Sequence, residues 1–241
     1  MREVFSFMSG ETELYASLYA PELGSASAAF VVCPPWGAEA RMGERIVRSF
    51  ARRVAVIGGA ALIFDWPGQG ESDGEPHQVE LEHLIRATYD ATANLRVRYP
   101  GTKVGLAGLR LGAAVATLSA KGISPYALVL MQPAWDPAAH LVAVEKASTR
   151  ARLGKGSARG WAFGYPLPLK KSFAGSGERV QDAVERFPGD TVVLGYGSED
   201  APTAPFTRIE ISGEWRHAAA TNDTRMTHKA VEWMRGKASQ S

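Results

Sequence analysis

The chain is poor in the features that mark several large protein classes. It has one cysteine in 241 residues, Cys33, so no internal disulfide can form and a disulfide-built secreted scaffold is excluded. No apolar run approaches the roughly 18 residues that span a bilayer. The most apolar stretch, residues 54–64, is shorter and is interrupted by Gly58 and Gly59. Neither charge sign dominates: 27 Lys+Arg against 25 Asp+Glu leave a net charge of +2, without the basic excess of a nucleic-acid binder. The N-terminal stretch MREVFSFMSGETELYA has Glu3 and Glu11 where a secretory leader would be basic and then apolar. Repeats, heptads and low-complexity tracts are missing too. These absences predict a cytoplasmic globular protein with no nucleic-acid partner and no transmembrane segment.

What is present predicts a single α/β domain over residues 1–241. Two short alternating segments, 3–8 and 13–19, flank Ser9-Gly10-Glu11-Thr12 and read as an antiparallel hairpin. Continuous apolar runs at 28–33, 60–64, 103–107, 126–131 and 191–196 suit strands buried on both faces, as in a parallel sheet. Helical patterns at about 38–53, 79–99 and 111–120 lie between them, and alternation of this kind gives βαβ units with helices on both faces. A further strand at 206–211 and a helix near 222–235 close the chain. Regularity lapses after Gln132-Pro133. Residues 137–173 carry seven basic side chains against one acidic, Glu145, and are broken by glycine and proline. We read 134–175 as a lid-like insertion, a solvated cover whose charge could also steer an acidic substrate or meet membrane headgroups.

Three segments carry chemistry. A strand runs into Gly108-Leu-Arg110-Leu-Gly112 and then a small-residue helix, the geometry of a nucleophile elbow, G-x-S-x-G, with arginine where the nucleophile stands. Phe64-Asp-Trp-Pro-Gly-Gln-Gly-Glu-Ser-Asp-Gly74 follows a buried strand and resembles the D-x-x-G-x-G-x-S-D-G turn of α/β-hydrolases. Val32-Cys-Pro-Pro-Trp-Gly37 ends the preceding strand, where those proteins place an oxyanion-hole N–H. Their order and spacing predict an α/β-hydrolase fold: a mostly parallel central sheet with helices on both faces and an N-terminal antiparallel hairpin.

The match is closer to one branch. Pro34-Pro35-Trp36 with Glu39 and Arg45, then Gly108-Leu-Arg-Leu-Gly-Ala113, then Leu130-Met-Gln-Pro133 resemble the hydrolases associated with bacterial exosortase A systems, a group that also carries arginine at the elbow. The similarity extends loosely over about residues 30–211, with Ala38 in place of that group's second acidic residue. The resemblance implies a role near exopolysaccharide export and protein sorting, with a partner in such a system. It does not establish a reaction.

Read from its residues, the catalytic triad is degenerate. A serine-type mechanism needs a nucleophile, a base in reach and an acid orienting that base. Arg110 is protonated at any working pH and cannot attack a carbonyl. Glu199 or Asp200 falls where the acid belongs, but residues 197–205 are too few for the loop and helix that normally precede the last strand. His217 falls at the base position and is equally a surface histidine. Arg110 opposes the dipole of the helix that follows it, so something anionic should compensate. Glu39 is the best internal candidate and Asp65 the second. The alternative is an anionic substrate group held by the Arg110 fork and elbow N–H groups such as that of Leu111.

Two readings stay open. In one, the protein is a non-standard hydrolase of an ester, thioester or related acyl bond. Arg110, His217 and Glu39 are then its candidate catalytic residues, and Trp36, Gly37, Leu111, Gln132 and Asp200 contact the substrate. In the other, it is a catalytically inactive pseudo-hydrolase that binds a ligand or serves as a scaffold. Neither calls for a cofactor. Cys33 ends a buried strand and reads as a small core hydrophobe. Asp65 and Ser72 read as stabilisers of their own turn, and Asp136 as a displaced, poorer acid. His77, His83, His140 and His228 lack metal-ligand spacing and default to the surface.

Overall fold

The structure is a computed structural model and describes residues 1–21, 25–143, 161–162, 165–196, 206–212 and 224–238. The sheet begins with a hairpin, β1 (Arg2–Ser9) and β2 (Thr12–Tyr19), paired in unbroken antiparallel register from Arg2↔Tyr19 to Ser9↔Thr12. β2 then pairs antiparallel with β4 (Ala60–Phe64). From there inward the sheet is parallel: β4, β3 (Ala29–Cys33), β5 (Val104–Leu109), β6 (Ala127–Met131), β9 (Asp190–Tyr196) and β10 (Thr207–Ile211). The eight strands lie in the order β1-β2-β4-β3-β5-β6-β9-β10. The fold is the predicted α/β-hydrolase architecture.

The continuous apolar runs have the expected cause. Every residue of β3, β5 and β6 is buried, because helices cover both faces. One face carries α1 (Ala38–Val56) and α7 (Arg225–Ala238), whose buried Ile46, Phe50, Met226 and Ala230 pack with Phe30 and Val32. The other carries α2 (Leu81–Arg98), α3 (Leu111–Ile123) and α6 (Ser176–Glu185), over Val31, Leu62 and Leu106.

The segment read as irregular is partly helical. α4 starts at 137 and is described to 143. Asp136 caps it, its Oδ1 accepting from Ala139 N at 3.0 Å, and Asp136 is thus a helix cap where the sequence left open an acid. A two-stranded ribbon, β7 (Trp161–Ala162) and β8 (Tyr165–Pro166), leads into α5 (Leu167–Ser172) and α6. The remainder of the basic insertion, 144–160 and 163–164, lies outside the described residues, as do 197–205 between β9 and β10. Among the described residues no helix is long and apolar enough to cross a membrane.

Candidate functional site

The elbow is built as its glycines require. A Cβ at Gly108 would stand 2.5 Å from Ala113 Cα, and one at Gly112 would collide with the carbonyl oxygens of Cys33 and Pro34. Between these glycines the chain turns sharply from β5 into α3 at Arg110, with φ 56° and ψ −120°. A non-glycine residue in that region carries about 1–3 kcal/mol of strain. The surroundings hold it there: Arg110 N donates to Met131 O at 3.1 Å, and its carbonyl accepts from Ala113 N and Ala134 N at 3.1 and 3.3 Å.

The Arg110 side chain is buried and turns toward α1. Its Nε donates to Glu39 Oε1 at 3.0 Å, its Nη1 to Gln132 O at 3.3 Å and its Nη2 to His140 Nδ1 at 3.1 Å. His140 Nε2 in turn lies 2.9 Å from Glu39 Oε2. The three side chains therefore close a ring of hydrogen bonds. Guanidinium nitrogens only donate, so His140 Nδ1 must accept. With Nδ1 accepting, Nε2 is left to donate to Glu39 Oε2. Side-chain exposure is 11%, 10% and 9% for Arg110, Glu39 and His140; the site is nearly dry.

Glu39 stands in the first turn of α1, where a negative charge is favoured by the helix dipole. Burial opposes its ionisation, yet the hydrogen bond from His140 and the charge of Arg110 prevail and hold its carboxyl down at about 2. It is a fixed anion at neutral pH. The sequence-derived partner of Arg110 is thus in place. Asp65, the second choice, serves its own turn: its Oδ2 accepts from Glu71 N at 3.1 Å, and Ser72 Oγ donates to Asp65 O at 2.8 Å.

The remaining predicted contacts separate into groups. Gln132 sits at φ 44° beyond β6, fully buried, and its Oε1 accepts from Tyr196 N at 2.6 Å, tying the end of β9 to that of β6. Trp36 and Leu111 are buried in the core on the α2–α3 side. Gly37 N, the nominal oxyanion-loop donor, is engaged by Gln69 Oε1 at 3.2 Å. Asp200 and His217 lie outside the described residues.

His140 is the residue that sequence reasoning missed. The surface default is corrected, since α4 delivers its ring into the ion pair. A single histidine three residues after a proline offers no spacing signal. Cys33 is in the core, 3.7 Å from Thr88 Oγ1, and burial pushes its thiol up to about 12; it is no nucleophile. Among the described residues no cluster of His, Cys, Asp and Glu could hold a metal ion. An open groove of about 1150 Å³ lies on the other side of the 34–38 loop, between α1 and the β2–β4 face, and its lining does not include Arg110 or Glu39.

No protein-family model matches the chain, and no curated protein matches it by sequence. Solved structures do. The ferulic acid complex of Est1E from Butyrivibrio proteoclasticus superposes with a TM-score of 0.70 at 17% identity, covering 98% of this chain and 99% of that one. An α/β serine hydrolase without lid from Xanthomonas campestris matches with a TM-score of 0.60 at 15% identity, over 96% of this chain and 94% of that one. The proline iminopeptidase of Mycobacterium smegmatis gives 0.63 at 13% identity, over 97% and 98%. At these identities the likeness is one of fold.

Proposed function

We propose that this chain is a pseudo-hydrolase: an α/β-hydrolase-fold protein that does not carry out serine-type acyl transfer and instead binds a ligand or partner with the retained architecture. The observation that carries this reading is the Glu39–Arg110–His140 ring. The elbow side chain is a cation that cannot attack a carbonyl. The nearby imidazole has both nitrogens engaged, one by Arg110 and one by Glu39. Glu39, held at about 2, is too weak a base to draw a proton from water at neutral pH. The oxyanion-loop N–H of Gly37 is met by Gln69. Strain, burial and glycine packing maintain the elbow without a nucleophile on it, which fits a scaffold whose elbow now holds an ion pair.

A second reading keeps the hydrolase. Glu39 and His140 are hydrogen-bonded as an acid and the base it orients would be, and the fold neighbours include Est1E with ferulic acid bound and a proline iminopeptidase. Release of His140 Nδ1 from Arg110 would free that base to activate water, with Arg110 binding the anionic group of an ester or thioester, or its developing oxyanion. His217 is the other candidate base and Asp200 a candidate contact. The basic 134–175 segment is proposed as the lid in either case. The resemblance to exosortase A-associated hydrolases supports a setting beside a polysaccharide-export and protein-sorting system, and the lone thiol supports the cytoplasm.

Short-chain p-nitrophenyl esters and thioesters, with a fluorophosphonate probe, separate the readings. The pseudo-hydrolase predicts no turnover above buffer and no labelling. Turnover abolished by both Arg110→Ala and His140→Ala in folded protein overturns it in favour of the second reading. Fluorophosphonate labelling of a serine overturns both.

A further inference from the structure

We propose that β1 is a dimerisation strand, and that two copies of this chain join edge to edge through it in a two-fold arrangement centred on Ser6. β1 is one end of the eight-stranded sheet. Edge strands that stay single are usually broken by a bulge, a proline or a central charge. β1 has none of these. Its register with β2 is continuous, and Val4-Phe-Ser-Phe-Met8 is uncharged.

The backbone groups on the open edge follow from the pairing. Met1 and Ala20 exchange hydrogen bonds with each other, and Tyr15 turns its carbonyl to Asp65 N on the β4 side. Inward and outward residues alternate along an antiparallel pair. Odd-numbered residues of β1 therefore bond to β2, and Arg2, Val4, Ser6 and Met8 direct N–H and C=O to the edge. The same even residues share the sheet face next to α1, where Val4 is 47% and Met8 56% exposed.

A second β1 laid antiparallel with Ser6 opposite Ser6 satisfies these groups and matches the side chains. Val4 then faces Met8 of the other copy on each side of the central Ser6 pair, giving two apolar cross-strand pairs. On the opposite face Phe5 meets Phe7. Glu3 faces Ser9, so no like charges stand opposed. Arg2, whose guanidinium donates to Ser17 Oγ at 3.0 Å and lies over the Tyr19 ring in its own chain, falls opposite Gly10, beside Glu11, and both Arg2 and Glu11 are exposed, so a turn of the Arg2 side chain from β2 to the edge brings the two charges together. An opposite-charge contact thus forms at each end of the pair, and cross-strand pairs of this kind stabilise association. A shift by two residues sets Val4 against Ser6 and loses the apolar match.

Sedimentation equilibrium at high micromolar concentration tests this on the full chain. The expected result is twice the mass of one chain, reverting to a single mass in Val4→Lys with unchanged circular dichroism. Arg2→Glu and Glu11→Arg should each weaken the dimer severalfold, and together restore it. A Ser6→Cys variant should be joined into a covalent dimer by a short bis-maleimide, which spans the wider hydrogen-bonded cross-strand pair, a readout that holds even if Val4→Lys fails to fold. A wild-type monomer overturns the proposal, and so does a dimer that survives Val4→Lys and leaves Ser6→Cys uncrosslinked.

Discussion

Glu39 and Arg110, from the first turn of α1 and the elbow before α3, form a buried ion pair 3.0 Å long. This pair joins the N-terminal turn of α1 to the turn between β5 and α3. Removing one partner strands a charge in a nearly dry site, at a cost of roughly 3–5 kcal/mol. Arg110→Leu and Glu39→Leu should each lower stability by that order in urea unfolding. The double variant should lose clearly less than the sum, because neither charge is then left alone. Additive losses would mean that the pair is not coupled.

The pair also sets an acid limit. The Glu39 carboxyl lies at about 2 when folded against an ordinary 4.5, so the folded state favours its ionised form. That stabilisation is fully present above pH 4.5 and is lost as the pH falls toward 2. It amounts to roughly 3 kcal/mol at neutral pH. Glu39→Gln should be less stable at pH 7 and should flatten the stability profile between pH 4.5 and 2. A parallel profile for wild type and variant would contradict the assignment.

Much of this was legible beforehand, for identifiable reasons. Strands buried on both faces write continuous apolar runs, and β3, β5 and β6 stand where those runs are. The elbow glycines are legible because a Cβ at Gly112 would meet the Cys33 and Pro34 carbonyls and one at Gly108 the backbone at the start of α3. Glu39 was inferable from charge alone, as a helix N-terminal acid facing a buried cation. α6 was not, because within Ser176–Glu185 the buried residues are only Ser176, Val180 and Val184, too thin a stripe to read. His140 was hidden because its partners come from α1 and the elbow, brought together by the sheet order and by no sequence spacing. Gln132, read as a substrate contact, has its amide oxygen taken by Tyr196 N.

His140 couples α4 to the ion pair, so its loss should be felt at both ends. His140→Ala removes a donor to Glu39 and an acceptor from Arg110, at a cost of about 1–3 kcal/mol. Hydrogen exchange should quicken across 137–143 while the strands β3 and β5 stay protected. Uniform quickening across the whole sheet would point instead to a general loss of stability.

The elbow glycines can be tested without touching charge. Gly112→Ala places a methyl group against the carbonyl oxygens of Cys33 and Pro34. Both are backbone atoms and cannot rotate away, so the α3 terminus must shift. Overpacking of this kind costs about 1–3 kcal/mol, visible as a lower thermal midpoint. An unchanged midpoint would mean that the loop at 34–38 yields freely.

Arg110→Ser restores the residue type usual at a nucleophile elbow, and it should remain inert. His140 Nδ1 meets Arg110 at Nη2, the far end of a long side chain, several bonds beyond where a serine Oγ would stand. The His140 imidazole, the nearest among the described residues, would thus face a gap left by the guanidinium and could not take the hydroxyl proton. Gly37 N would still be held by Gln69, and Glu39 would lose its cationic partner, so the variant should also be less stable. Fluorophosphonate labelling and p-nitrophenyl acetate turnover should both stay at background. A labelled, active Arg110→Ser protein would mean that a base reaches the elbow from elsewhere, with His217 the first residue to replace.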